Sequence, residues 1–534
     1  MKHRGHRRCL KEKLCPLVIV LSVIVIFYLV EVPNISGVLT SPDGLKASNS
    51  TRFEGLYVSQ GNSSKKNLQA EGNTEAMNRN STESTLVSSP ASPLLNFSGF
   101  NKASEEEIIP ASLVEEEEEN GPAFLLPDTA VEFDNLTISR MSKLLENSLL
   151  FPKAMDRRWD SKVDKRLSEA KSSIYSGGGW SNEGDLYPPL YRNFSMFIRS
   201  YELMEKMLKV YIYKEGERPI FHQPVIQGIY ASEGWFMKLL VASNKYVTRN
   251  PKEAHLFYLP FSSKNLQQKL YVPESHTLDN LVQHLTTFLT KISSKYPFWN
   301  RTNGADHFLV ACHDWAPRET KQVMSNCIRA LCNADVNEGF EFGNDVSLPE
   351  TLVRWPKHLQ RGIGGKPPGE RSILAFFAGN MHGYLRPILV EQWGGKKDPE
   401  MRIYGRMPKT RRMMNYAQHM KSSRYCICAR GYEVNSPRIV EAIYYECVPV
   451  IISDNFVPPL FSVLNWEAFA VFVLEKDIPN LKEILRSISE ERYLQLQMGV
   501  RMVQRHFVWH PKPVKYDLFH MTLHSIWFNR LLRA

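Results

Sequence analysis

Between residues 209 and 453, short apolar runs of strand composition alternate with segments of helical period, and this restricts the chain more than any other feature. The first series has KVYIY (209–213), AHLFYLPF (254–261) and DHFLVAC (306–312) as strands, with SEGWFMKLLVAS (232–243) and a long segment over 276–295 as helices. A Gly/Pro-rich linker, GIGGKPPGE (362–370), precedes a second series. Its strands are SILAFFAG, MRIYG, RYCICA and VPVIIS, and its helices are LRPILVEQW, TRRMMNYAQHMKSS and PRIVEAIYYE. Short apolar strands separated by helices predict parallel α/β sheets. The expected architecture is two Rossmann-type domains, 191–365 and 366–534, facing a cleft where ligands bind at the carboxyl ends of the strands.

The first third of the chain has a different composition. Residues 14–32, LCPLVIVLSVIVIFYLVEV, form a nearly uncharged run that is roughly long enough to span a bilayer as a helix. Lys2, Arg4, Arg7, Arg8, Lys11 and Lys13 precede it, so the positive-inside rule predicts a cytosolic tail over 1–13, a signal-anchor over 14–32 and a lumenal remainder. The exit from the run lacks a small-x-small cleavage site, which argues against a cleaved signal peptide. From 33 to about 150 the chain is rich in Ser, Asn, Glu and Pro, a composition that does not bury enough apolar surface to offset chain entropy. A stem over 33–190 is expected, largely disordered, with helical linkers between 140 and 175.

The net charge of +10 is concentrated at the N-terminus and otherwise spread thinly. Without a basic stripe interleaved with aromatics, nucleic acid is not an expected partner. Asn49, Asn62, Asn80, Asn96, Asn135, Asn193 and Asn300 each begin an N-x-S/T sequon, consistent with a lumenal glycoprotein. Six cysteines lie beyond the anchor (Cys312, Cys327, Cys332, Cys426, Cys428 and Cys447), and their 15 possible pairings are not distinguished by spacing.

The richest stretch is RYCICARGYEVNSPRIVEAIYYECVPVIISDNFVPP (424–459). A strand ends near Ala429, Arg430 and Gly431 lie in the loop, and Ser436-Pro437 has the composition of a helix start. Such a start suits a pyrophosphate, with Arg438 in the first turn reaching a phosphate oxygen. Glu441, three residues on, shares that face and is placed either to accept from ribose hydroxyls or merely to pair with Arg438 on the surface. Gly431 serves either a close backbone approach or a positive-φ turn.

This stretch, with GYEVNSPRIVEA and CVPVIIS, resembles the nucleotide-sugar segment of the exostosin family, glycosyltransferase family 47, especially its plant members. SEGWFMKLL, HLFYLPF, HFLVACHDWAP, NDVSLPE and AFFAGNMHGYLRPIL extend the resemblance over roughly 190–530. It implies a GT-B-like α/β fold and an inverting transferase of the Golgi membrane. The donor would be a nucleotide sugar, expected to be a UDP-sugar, and the acceptor a cell-wall polysaccharide or glycan. By analogy with such enzymes, Arg386 would add a further contact to the donor phosphates. Inversion requires a base for the acceptor hydroxyl. His313 and Asp314, at the carboxyl end of the DHFLVAC strand, are candidates, as is Glu233 near a helix start. Trp315 is the tryptophan best placed for acceptor stacking. With no Asp-x-Asp in the chain, donor binding without metal or other cofactor is expected. An inactive homologue that scaffolds other glycosyltransferases in the same membrane is the competing expectation.

Overall fold

The computed structural model describes residues 135–175, 185–395, 397–407 and 414–534. The predicted cytosolic tail, signal-anchor and most of the stem lie outside them. No helix among the described residues is long and apolar enough to cross a membrane.

Two five-stranded parallel sheets organise the chain. The first comprises β1 (Val210–Ile212), β2 (Leu256–Tyr258), β3 (His307–Ala311), β4 (Ile328–Leu331) and β5 (Val346–Ser347), hydrogen-bonded in sequence order. The second comprises β6 (Ile373–Ala378), β7 (Met401–Tyr404), β8 (Ser423–Ala429), β9 (Val448–Ile452) and β10 (Val471–Phe472). Its order is β7-β6-β8-β9-β10, so the winding direction reverses between β6 and β8. Where it reverses, the loops after neighbouring strands turn to opposite faces and leave a crevice at the carboxyl edge.

Both faces of the first sheet are covered, as apolar parallel strands require. Leu309 and Ala311 of β3 share a cluster with Leu281, Leu285, Phe288 and Ile292 of helix Asp279–Lys295, whose apolar residues recur at helical spacing. Phe308 and Val310 point the other way, into the cluster holding Phe236 and Phe519. Phe519 belongs to the last helix, Leu518–Leu532, in which every residue is buried. That helix was expected with the second domain. It lies instead against β4, β5 and helix Ala231–Val241 of the first. A helix without a polar face needs apolar neighbours on all sides, and this position supplies them.

Order also begins earlier than the stem boundary at 190 implies. Helices Ile138–Leu150 and Lys162–Tyr175 bury Met141, Leu145, Leu167 and Ile174 in the same core. The second of them is tied to the chain's end by charge. Asp164 accepts from Arg301 at 2.7 Å and from Arg530 at 3.1 Å, and Arg301 also pairs with Asp306. Burial opposes ionisation of Asp164, but Ser161 and the two guanidiniums outweigh it and leave the carboxyl below its ordinary range.

Candidate active site

The second sheet's switch point gathers the arginines that the motif suggested. After β6 the chain passes through Gly379, Asn380 and Gly383 before helix Leu385–Trp393, where Arg386 Nη1 donates to the Asn380 carbonyl at 3.2 Å. After β8, Gly431 lies against the Arg386 guanidinium, and a Cβ added there would sit 2.8 Å from Nη2. Gly431 does not have a positive φ, and a side chain there would press on the end of the Arg386 guanidinium. Gly383 has φ +69°, and a Cβ on it would lie 2.0 Å from the Gly431 carbonyl oxygen, so the two loops touch backbone to backbone. Arg438 Nε donates to the Ala378 carbonyl at 3.0 Å and Nη1 to Ser436 Oγ at 3.1 Å. Arg430 faces Glu475 at 3.5 Å and lies 5.5 Å from the Tyr384 ring. Three guanidiniums thus converge on the loops that follow β6 and β8.

The local start of helix Arg438–Tyr444 differs from expectation. Pro437 occupies the cap position without a side-chain cap bond. Ser436 Oγ accepts from the Arg438 N–H only at 3.4 Å. Ser436 is bound mainly to the side chain of Arg438, so it steadies a cation more than it caps a helix.

Glu441 is neither on the surface nor paired with Arg438. It is buried, and its carboxylate accepts from Arg354 Nη1 at 3.1 Å and from the Tyr416 hydroxyl at 2.8 Å. Arg354 comes from the segment between β5 and β6, so Glu441 joins that segment to the second sheet.

On the opposite side, Asp314 follows β3; Asn333 Nδ2 donates to its Oδ1 at 3.2 Å, and the Tyr230 hydroxyl lies nearby, its proton held more tightly through burial and the charge of Asp314. His313 is buried, and burial with nearby Lys264 depresses its imidazole to about 3. Its Nδ1 lies 3.3 Å from the Trp315 N–H, which leaves the proton of the neutral ring on Nε2. A neutral imidazole in that tautomer donates at Nε2 and is a poor base there. Glu233 is fully buried and accepts from Ser262 Oγ, from the Cys312 N–H at 2.8 Å and from the Lys264 N–H at 3.3 Å. With those bonds it knits three backbone segments together beneath the sheet edge. Trp315 is also buried, edge-on to Tyr271 at 4.5 Å, and offers no open face to a sugar.

The sequence reading did not single out two further carboxyls. Glu350 follows β5, and burial, then the charge of Asp314, push it well above the usual carboxylate range against the opposing pull of Arg386 and Arg438. Glu433, in the loop after β8, is pushed up to about 8 by burial and then by Asp314, with Arg318 opposing. Both lie in stretches, NDVSLPE and GYEVNSPR, that the sequence had marked. Acidic residues directly beyond strand ends were the available signal. The electrostatic neighbours of Glu350 come from both sheets, which brings the carboxyls of the first and the arginines of the second into one site. Environments that set neighbouring carboxyls apart in proton affinity mark acid–base assignments in enzymes.

Similarity to known proteins places the chain in a family. The model for the Exostosin GT47 domain matches residues 204–488, which hold both sheets except for the first sheet's covering C-terminal helix. A "Probable glycosyltransferase" of Arabidopsis thaliana is 43% identical over 377 residues, covering 69% of this chain and 72% of its own length. The "Probable glucuronosyltransferase GUT1" of Oryza sativa subsp. japonica is 31% identical over 348 residues, covering 60% and 80%. The "Probable beta-1,4-xylosyltransferase IRX10" of Arabidopsis thaliana is 30% identical over 344 residues, covering 60% and 81%. Among solved structures, TarM aligns over 43% of this chain and 55% of that one at 8% identity with a TM-score of 0.23, too slight a likeness to bear on the fold. With the family model matching more than half of its length and relatives of this similarity, the chain belongs to the exostosin GT47 family.

Proposed function

We propose that the protein is an inverting glycosyltransferase of GT-B-like architecture that moves a sugar from a UDP-sugar to a cell-wall polysaccharide or glycan. Two arginines of the second sheet, Arg386 and Arg438, lie close to the carboxyls that follow the first sheet's strands, and that meeting is the observation supporting it most. Arg386, Arg430 and Arg438 neutralise the diphosphate as it leaves. Preorganised cations at developing charge are often the largest contribution to such a step. Asp314 takes the proton of the acceptor hydroxyl while its oxygen forms a bond to the anomeric carbon and the bond to the diphosphate breaks. Burial and the charge of Asp314 both raise the carboxyls of Glu350 and Glu433, and Asp314, which accepts from Asn333, is assigned as base. Glu441 accepts from the donor ribose. Metal-independent donor binding belongs to the same proposal, supported by the guanidinium cluster and the lack of an Asp-x-Asp sequence.

The glucuronosyl- and xylosyltransferase names of two relatives put UDP-glucuronic acid and UDP-xylose first among the donors to try. A Golgi, type II placement is supported by the basic tail before the apolar run and by the disulfides Cys312–Cys332 and Cys426–Cys447, which suit an oxidising lumen. The test is incubation of the full chain with UDP-xylose, UDP-glucuronic acid, UDP-galactose and UDP-arabinose and a set of wall oligosaccharides, with products weighed by mass spectrometry. One added sugar residue is expected, with EDTA present as well as absent. A chain that binds no UDP and extends no oligosaccharide would be the scaffolding homologue instead.

A further inference from the structure

β3 and β4 lie side by side, and each is followed at once by a cysteine. Cys312 and Cys332 are joined as a disulfide. The next residues along, His313-Asp314 after one strand and Asn333 after the other, are therefore held across from each other by a covalent tie. Asn333 is buried, and both ends of its amide are used. Nδ2 donates to Asp314 Oδ1 at 3.2 Å, while Oδ1 accepts the Asn435 N–H at 3.4 Å. The second contact fixes which way the amide faces, because a backbone N–H demands an oxygen.

Asn435 belongs to the loop after β8, immediately before Ser436 and Arg438. Its own side chain reaches across to the first sheet, with Nδ2 donating to the Cys332 carbonyl at 2.6 Å, and its Oδ1 accepts the Ser436 N–H at 2.7 Å. One unbroken path of hydrogen bonds thus runs from the loop carrying Arg438, through Asn435 and Asn333, to the Asp314 carboxylate.

We infer that Asn333 is a positioning residue that sets the orientation of Asp314 according to the placement of the arginine-bearing loop after β8. The inference rests on the proposed role of Asp314 as base. Asn333 touches neither donor nor acceptor in this scheme; it acts through Asp314. A donor that seats the loop would thereby aim the base, while a displaced loop would release the hold of Asn435 on Asn333.

Asn333→Asp tests it, since the variant keeps size and the acceptor for Asn435 but sets an oxygen against Asp314. Using the full chain and whichever of the four UDP-sugars it consumes, kcat is expected to fall roughly tenfold to a hundredfold, as for a misaimed catalytic group. The acidic limb of the pH–rate profile is expected to move upward by about one pH unit, because a like charge beside Asp314 favours its protonation. UDP affinity by calorimetry should stay within about twofold. Asn333→Ser, which removes the amide without adding charge, is expected to lower kcat without moving the limb, and it serves if the aspartate variant fails to fold. An unchanged kcat in both variants, or a loss of UDP affinity that parallels the loss of rate, would overturn the inference. Asp314→Asn in the same assay separates the two levels. If it retains activity the base assignment falls and the inference with it; if it is inactive while Asn333→Asp is normal, the inference alone falls. A chain that neither binds UDP nor consumes any of the four sugars removes both.

Discussion

At the residue scale, Glu441 shows how a correct motif can hide the wrong partner. Its spacing from Arg438 offered a surface ion pair, yet the carboxylate turns to Arg354 and Tyr416, residues 87 and 25 positions away. No local pattern encodes contacts at that separation. The correction changes what a mutation should do. Glu441→Gln removes a charge that is buried and paired, so it costs stability, on the order of 1.5–3 kcal/mol for hydrogen bonds to a charged group. UDP affinity should drop roughly tenfold to a hundredfold if the ribose is held by the same carboxylate. Thermal unfolding and UDP calorimetry on one preparation measure both; loss of stability with full UDP affinity would remove Glu441 from the donor site. Glu433 carries a pH prediction. Its carboxyl is raised to about 8, so it is neutral below that pH and gains a negative charge above it. An added anion repels the diphosphate, so UDP binding should weaken as pH passes upward through about 8. In Glu433→Gln that weakening should vanish, as a calorimetric series from pH 6.5 to 9 would show. The same linkage makes Glu433 destabilising at high pH. The folded state holds a proton between the ordinary glutamate range and about 8 that the unfolded state has released, so raising pH across that window favours unfolding.

At the scale of elements, most of the strands that the sequence revealed are nearly uninterrupted in apolar composition. β2, β3, β6, β8 and β9 all fall within the runs assigned as strands, give or take a residue, because burial on both faces leaves no room for polar residues. β7 was assigned despite Arg402, whereas β4, interrupted by Arg329, was not. The residue is buried nonetheless, its Nε bonded to Asp345 Oδ1 at 3.1 Å, and a charge that finds its partner sixteen positions on looks from sequence like a solvent-facing one. β5 and β10 are two residues each and carry no periodicity. Of the switch-point glycines, Gly431 lacks the positive φ that was one of its two expected roles, while Gly383, not singled out from sequence, combines positive φ with contact to the Gly431 backbone. Gly383→Ala therefore has both a strained backbone and a clash that no rotamer relieves, and about 1–3 kcal/mol of stability should be lost. Because the clash separates the loops that carry Arg386 and Arg430, UDP affinity should fall as well. Denaturant unfolding and UDP titration check this, and an alanine variant with native affinity would show that the contact between the loops is dispensable.

At the scale of the whole molecule, the presence of two parallel sheets was legible while the packing of the last helix was not. The linker at 362–370 and the two series of strands predicted two units, and both sheets are present. The last helix gave no sign of its destination, since an apolar surface all round says only that a helix is buried, not against what. It crosses back to the first sheet, where Arg530 meets Asp164 of an N-terminal helix and Asn529 donates to the Asn344 carbonyl at 2.9 Å. The chain's two described ends thereby close over the sheet that carries Asp314. The central claim is a division: a base from the first sheet and donor-binding arginines from the second. Asp314→Asn, assayed for sugar transfer and for UDP affinity in the full chain, tests it most directly. The account predicts a fall in kcat of about a hundredfold to ten-thousandfold, as for loss of a general base, with UDP affinity unchanged within about twofold. Retained transfer, or a loss of UDP affinity as large as the loss of rate, would contradict it.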